Sequence, residues 1–232
     1  MAGPLAGCAM ITIYGSLRSR ALRPIWLLRE LDAPHEVKTT IQAYRLVDPV
    51  SPRSPFNTAD PVFTALNPMG QVPVLVQGDL VMTESVAMTL YLARWAGGPL
   101  SAATAQEDAQ ILQWALLGVS AIEAPALEIL MTYHRRDPGS AQGQAALEAA
   151  RASLARPLAR LQAHLDQTDW LVGARFTVAD LILAEIVRFA EDDTALFDTW
   201  PAVSRWLARA RSRPVYAALW AARNAEPDTF PA

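Results

Sequence analysis

Apolar positions follow two rhythms along this chain. Residues 10–14, MITIY, form a short apolar run that stops at Gly15 and predicts a β-strand. Across residues 19–31 the spacing changes. Leu22, Ile25, Trp26 and Leu28 recur at helical intervals and predict an amphipathic helix after the strand. Residues 36–40 predict a second strand. Residues 42–61 contain Pro49, Pro52, Pro55 and Pro61 and predict an irregular loop, with a helical turn over 62–65. Residues 72–76 and 80–82 predict a β-hairpin around Gln77-Gly78-Asp79, and residues 83–95 a helix capped by Thr83. The order is β-α-β-loop-β-β-α.

Beyond Gly97-Gly98-Pro99 the strand signals end. Helical patterns run over 106–134, 141–165, 177–191, 201–213 and 215–224. This change of rhythm, at a Gly/Pro-rich stretch, predicts two domains: an α/β domain over 10–97 and an all-α domain over 104–232, preceded by a disordered leader over 1–9.

Composition narrows the picture. The chain has 232 residues, is 52% hydrophobic and carries a net charge of −3, which suits a globular protein and argues against a general nucleic-acid binder. The single Cys8 excludes a disulfide framework and a cysteine-based zinc site, and no metal is expected. No apolar run approaches the roughly 20 residues that cross a bilayer, and the leader has no secretory pattern. The expectation is a cytoplasmic protein with no membrane partner. Lys38 is the only lysine, and alanine is abundant, which suggests a GC-rich bacterial source.

Three stretches carry chemistry. Val72-Pro73 places a proline at the mouth of a strand, directly after Gly70-Gln71. A turn there, with a cis bond, would leave the Val72 N–H and C=O free to pair with an extended ligand; the plain alternative is a turn before an edge strand. Glu84-Ser85 opens a helix, where free backbone N–H groups favour carboxylates and Glu84 could meet an ammonium; the plain alternative is capping. Thr177 and Asp180 form a capping-box pattern, with Phe176 as a staple onto Leu181, and read as structural.

Taken together, "IYGSLRSRALRPIWLLREL", "FTALNPMGQVPVLVQGDLVMTESVAMTLYLA" and "DWLVGARFTVADLILAEI", in this order, resemble the cytosolic glutathione S-transferases. The resemblance implies a thioredoxin-like N-terminal domain, a helical C-terminal domain and glutathione as cosubstrate. It implies that Val72, before a cis-Pro73, pairs with the cysteinyl backbone of glutathione. Glu84 and Ser85 would hold the γ-glutamyl group, and Gln71 would reach toward the glycine end. It further implies a detoxifying transferase that adds the glutathione thiolate to a small hydrophobic electrophile, and a homodimer. Other functions on this fold are a non-catalytic binding or scaffold protein and a glutathione-dependent peroxidase or isomerase.

A transferase of this kind needs a thiolate. A thiol of pKa about 8.5 is only slightly ionised at neutral pH, and a hydroxyl donor beside a helix N-terminus favours the anion. Ser16 and Ser19 compete for that role. Counting back four residues from Arg20, as in serine-type members of the family, gives Ser16, with Ser19 as helix cap. Arg18 could add positive potential. Tyr14 is expected to pack on the sheet, and the lack of cysteine over 10–30 argues against the members that form mixed disulfides. Arg45 and Arg53 are the candidates for the glycine carboxylate, in a loop longer and richer in proline than the family's. Trp114, Ile122 and Tyr133 are candidates for the second-substrate pocket; at helical spacing they also suit a core.

Overall fold

The computed structural model describes residues 10–227; the leader over 1–9 and Cys8 lie outside the described residues. The chain divides into two units. The first comprises the chain up to Ala96 together with the segment from Pro214 onward, and the second is Gly97–Arg213. The helix expected to close the all-α half therefore belongs with the N-terminal unit, a grouping that local periodicity does not report.

The first unit is built on a four-stranded sheet. β1 is Ile11–Gly15, β2 His35–Thr39, β3 Val74–Gln77 and β4 Leu80–Met82, in the order β2-β1-β3-β4. β1 runs parallel to β2 and antiparallel to β3, with Ile11 opposite His35 and Gln77. β3 and β4 form the expected hairpin, with Leu75 opposite Met82. Alternation along β1 puts Ile11 and Ile13 inside, while Thr12 and Tyr14 stay half-buried.

α1 is Leu22–Glu30, and residues 22–28 are all buried, more than a one-sided amphipathic helix requires. The reason is that α1 is covered from two directions. α3, Ser85–Ala96, packs on it, and so does α10, Pro214–Ala225. Trp26 meets Tyr216 with ring centroids 4.5 Å apart, and Tyr216 stacks on Trp220 at 5.6 Å. Full burial of each large side chain here contributes about 1.5–3 kcal/mol.

The loop before β3 has its own order. A 3-10 turn spans Ala43–Arg45, and α2, Pro61–Leu66, is capped by Asp60, whose side chain accepts from Val62 N at 2.8 Å. Asn57 donates to the Pro49 and Pro55 carbonyls, both at 2.9 Å, and so satisfies two acceptors of the loop and ties it together. Tyr14 packs against Phe56 and Phe63 of this region, at 6.3 and 6.4 Å, with Lys38 5.3 Å from its ring centre.

The second unit is helical: α4 Ala105–Leu117, α5 Glu123–Arg135, α6 Ala141–Leu165, α7 Val178–Val187, α8 Thr194–Thr199 and α9 Pro201–Arg211. α7 is buried at all ten positions and forms its core. α4 and α5 are one run broken by a π turn at Gly118–Ile122. A Cβ on Gly118 would sit 2.8 Å from Ile186 Cδ1 and 2.9 Å from Leu183 Cδ1, so the turn packs closely on α7 and a larger residue would push these side-chain ends aside. By length and composition alone the joined Ala105–Arg135 helix could cross a membrane, with a mean hydropathy of 1.5 over 18 residues. That overturns the expectation that no segment qualifies. Packing accounts for part of its apolarity: Ile111, Trp114, Ala115, Ile122, Ala126 and Ile129 are buried. Leu112, Leu116 and Val119 remain exposed.

Asp180 organises this unit. Its Oδ2 accepts from Thr177 N at 2.9 Å and Thr177 Oγ1 at 3.2 Å, completing the capping box. Its Oδ1 accepts from Leu171 N at 3.0 Å and Trp206 Nε1 at 2.9 Å. Burial pushes its carboxyl up to about 6 despite these donors. Phe176 packs edge-on against Trp170 at 5.3 Å. Two further clamps hold the periphery. Arg175 grips Glu107 through two hydrogen bonds, and Arg151 does the same to the buried Asp193.

Candidate functional site

Every candidate for glutathione contact falls in the first unit. The chain leaves β1 at Gly15 and closes a tight turn, in which Ser19 N–H donates to the Ser16 carbonyl at 3.1 Å. The helix proper begins only at Leu22, three residues later than the sequence pattern indicates. Ser19 Oγ donates to the Ser16 carbonyl at 2.7 Å and accepts from Ala21 N at 3.1 Å. It thus caps the turn that leads into α1, and it stays half-exposed. Ser16 differs: it is 2% exposed, and its Oγ is enclosed with no hydrogen-bond partner among the described residues.

The corner before β3 lies beside this turn. A Cβ built on Gly15 would strike Ala21 Cβ at 2.5 Å, and the same point lies 3.6 Å from Ser19 Oγ and 3.8 Å from Val72 Cβ. Glycine at position 15 therefore lets the strand end, the serine and Val72 converge. The Val72–Pro73 bond is cis, and Val72 stands outside the ladder, which begins at Tyr14 and Val74. No hydrogen bond to the Val72 N–H or C=O occurs among the described residues. The turn before it is fixed by Asn67, which is buried and donates from Nδ2 to the Gln71 carbonyl at 2.7 Å. The Gln71 side chain is exposed.

The third element is the start of α3. The helix begins at Ser85, not Thr83, and Glu84 precedes it with φ of 66°. A left-handed glutamate costs about 1–3 kcal/mol and persists only where the surroundings hold it. Glu84 is exposed, while Ser85 is buried and accepts from Arg23 Nη1 at 3.0 Å. Arg23 is 1% exposed, an arginine inside the core beneath the helix start. Sequence reasoning passed over it. The available signal was its position, since a cation three residues before Trp26 and four before Leu27 falls on the buried face of α1.

The other candidates are spread more widely. Arg18 gives its backbone N–H to Glu226 Oε2 at 3.0 Å and its Nε to the Arg223 carbonyl at 3.1 Å. Arg45 reaches Gln42 Oε1 at 3.1 Å and the Pro227 carbonyl at 2.7 Å. Arg53 is exposed on the proline loop. The second-substrate candidates lie in the helical unit and do not share one cavity. Ile122 is 1% exposed and packs as core. Trp114, 4% exposed, borders a cavity of about 210 Å³ together with Arg160 and His164. Neither Ile122 nor Tyr133 borders it; Tyr133 lies near Arg151. Among the described residues no group of three or more His, Cys, Asp or Glu side chains is placed to hold a metal ion.

A βαβ-ββα sheet with a cis-proline corner open at Val72, followed by a helical unit, defines a thioredoxin-like domain joined to an all-α domain. Residues 19–95 match the family Glutathione S-transferase, N-terminal domain, and residues 111–214 match Glutathione S-transferase, C-terminal domain. The chain is 31% identical over 163 residues to Glutathione S-transferase 3 of Zea mays, covering 67% of this chain and 73% of that one. It is similar in fold to the structure of glutathione S-transferase-I bound with lactoylglutathione, with a TM-score of 0.75 and 25% identity over 92% of this chain and 99% of that one. The chain belongs to the glutathione S-transferase family. It is also 36% identical over 124 residues to elongation factor 1-gamma of Prunus avium, covering 53% of this chain but spanning only 29% of that protein.

Proposed function

We propose that this protein binds glutathione in its first unit and activates the thiol with Ser19. The observation that carries the reading is the convergence at Gly15. The open peptide edge of Val72 and the half-exposed Ser19 hydroxyl flank one point at the end of a strand. An extended cysteinyl residue pairing with Val72 N–H and C=O, as in strand addition, would bring its sulfur toward Ser19. The enclosed Ser16 Oγ has no surface to offer a ligand. The count from the family pattern also changes once the buried arginine is recognised as Arg23. Counted back from the buried Arg23 instead of the exposed Arg20, the same four-residue interval gives Ser19.

The chemistry follows from these groups. Ser19 Oγ already accepts from Ala21 N–H, which polarises its own proton. Turning that proton from the Ser16 carbonyl to sulfur gives up a hydrogen bond worth about 1 kcal/mol. It gains a charge-assisted bond to the anion. Lowering the thiol pKa by two units requires about 2.7 kcal/mol, within reach of one such bond and the start of a nine-residue helix. The released proton goes to solvent. The sulfur lone pair then bonds to an electrophilic carbon; in substitution that carbon expels its leaving group with the bonding pair, and in conjugate addition the displaced π pair moves to the adjacent α-carbon, which takes a proton from solvent. Ser85 and the N–H groups of α3 hold the γ-glutamyl carboxylate, Arg23 fixes the Ser85 oxygen from below, and Glu84 receives the ammonium. Gln71 lies toward the glycine end.

The reading also includes a cytoplasmic homodimer. Its support is the exposed apolar row Leu112, Leu116 and Val119, which recurs on one face of the joined helix. A second reading, a non-catalytic scaffold, is favoured by the likeness to elongation factor 1-gamma. Calorimetry with glutathione, followed by an ultraviolet titration of the bound thiol, separates the two. Absence of glutathione binding at millimolar concentration would remove the transferase reading and leave the scaffold.

A further inference from the structure

The turn that carries the proposed thiol site is tied to the far end of the chain. Closure of the turn between Ser16 and Ser19 leaves the Leu17 and Arg18 amides outside its own hydrogen bond. The Glu226 carboxylate takes both, accepting from Leu17 N at 2.8 Å and Arg18 N at 3.0 Å. Beside it, Arg18 Nε donates to the Arg223 carbonyl at 3.1 Å, and Arg45 Nη2 to the Pro227 carbonyl at 2.7 Å. Glu226 directly follows α10, which is fixed on α1 through Tyr216 and Trp26. A packed helix therefore delivers this carboxylate to its place.

We propose that Glu226 is a built-in anion at the glutathione site, and that it sets both the affinity for glutathione and the acidity of its thiol. The proposal rests on the glutathione reading above. Outward-facing N–H groups in a turn ahead of a helix are the donors that favour an anion. Here a carboxylate of the same chain already occupies two of them, so they are spent before any thiolate forms. The carboxylate also adds a negative charge. Its oxygens lie 2.8 and 3.0 Å from the Leu17 and Arg18 amide nitrogens, and Arg18 is joined directly to Ser19 with Cα atoms about 3.8 Å apart, so this charge acts on a sulfur at Ser19 from inside the screening length of about 8 Å. At that separation, in a partly exposed setting, it raises a neighbouring thiol pKa by about 0.5–1.5 units. Among the described residues, Arg18, Arg45 and Arg223 gather at this contact, and Arg20 follows the turn in sequence. Substituting Glu226 leaves all four in place, so the change isolates the carboxylate.

If Glu226 merely anchors the end of α10, its loss should lower stability and weaken or leave unchanged the binding of glutathione. The proposal demands the reverse for binding. The experiment compares the unaltered chain, Glu226→Gln and a chain ended after Asn224. Calorimetry gives the Kd for glutathione, and ultraviolet titration gives the pKa of the bound thiol. The expected result is a Kd three- to tenfold lower in both variants and a thiol pKa lower by about 0.5–1 unit. Equal or weaker binding in folded Glu226→Gln, with wild type binding, overturns the proposal and leaves the glutathione reading intact. Absence of binding in all three proteins removes both together. If the shortened chain does not fold, Glu226→Gln decides.

Discussion

Replacing Asp180 by alanine tests the architecture of the helical unit. The carboxylate accepts four hydrogen bonds, from Leu171 N, Thr177 N, Thr177 Oγ1 and Trp206 Nε1, all between 2.9 and 3.2 Å. Asp180 is fully buried, so water does not replace it. Each buried donor left without an acceptor costs about 1–3 kcal/mol. Thr177 Oγ1 can rotate to another partner, and local relaxation recovers part of the rest. The expected loss is about 4 kcal/mol, at the upper end for a single substitution. For a chain of this size that lowers the Tm by roughly 10 °C. The carboxyl is pushed up to about 6 by burial, against an ordinary value of 3.8. A raised folded pKa means that the stability linked to this proton is fully present below pH 3.8 and is lost as pH rises through 6. The deficit of the variant should therefore be larger at pH 5 than at pH 7. Urea unfolding followed by tryptophan fluorescence and near-ultraviolet circular dichroism at both pH values reads it. A deficit below about 1 kcal/mol at pH 5, or one that widens toward pH 7, would refute the reasoning.

Other outcomes follow from the same geometry. Ser19→Ala should raise the pKa of bound glutathione and cut turnover by about 10², as for loss of one oxyanion-type donor. Ser16→Ala should leave both within a fewfold, and the opposite result would return the role to Ser16. Ser85→Ala should raise the Kd for glutathione by about tenfold with a smaller effect on kcat, because it holds a part of the substrate that does not react; equal affinities by calorimetry would exclude the α3 start as a binding element. The Arg175 guanidinium and the Ala103 N–H hold the Glu107 carboxyl down at about 2. Its contribution is present above pH 4.5 and lost as pH falls toward 2, so Glu107→Gln should show a flatter fall in Tm over that range than wild type. Leu116→Glu should turn a species of twice 25.3 kDa into one of 25.3 kDa by light scattering; a wild-type monomer would end the dimer reading.

Local pattern determined most of the secondary structure, because the signals involved are short-range. Strand alternation at Ile11 and Ile13, the hairpin at Gly78, the capping box at Thr177 and Asp180, and the long helix Ala141–Leu165 each depend on residues within a few positions of one another. The cis corner at Pro73 and a helix start beside Glu84-Ser85 were legible for the same reason. Other features depended on neighbours distant in sequence. Periodicity identifies α10 as a helix, but only packing shows that it returns to cover α1 through Tyr216 and Trp26. The π turn at Gly118 packs against Ile186 and Leu183, about 65 residues further on, a contact that no local pattern reports. Arg23 reads as one more arginine of an Arg-rich helix until burial joins it to Ser85. The choice between Ser16 and Ser19 turns on which hydroxyl faces outward, and spacing does not encode that. Glu226 is the extreme case. A glutamate after a terminal helix carries no local signal, and it gains meaning only because the fold sets it on the amides of Leu17 and Arg18, more than 200 residues away.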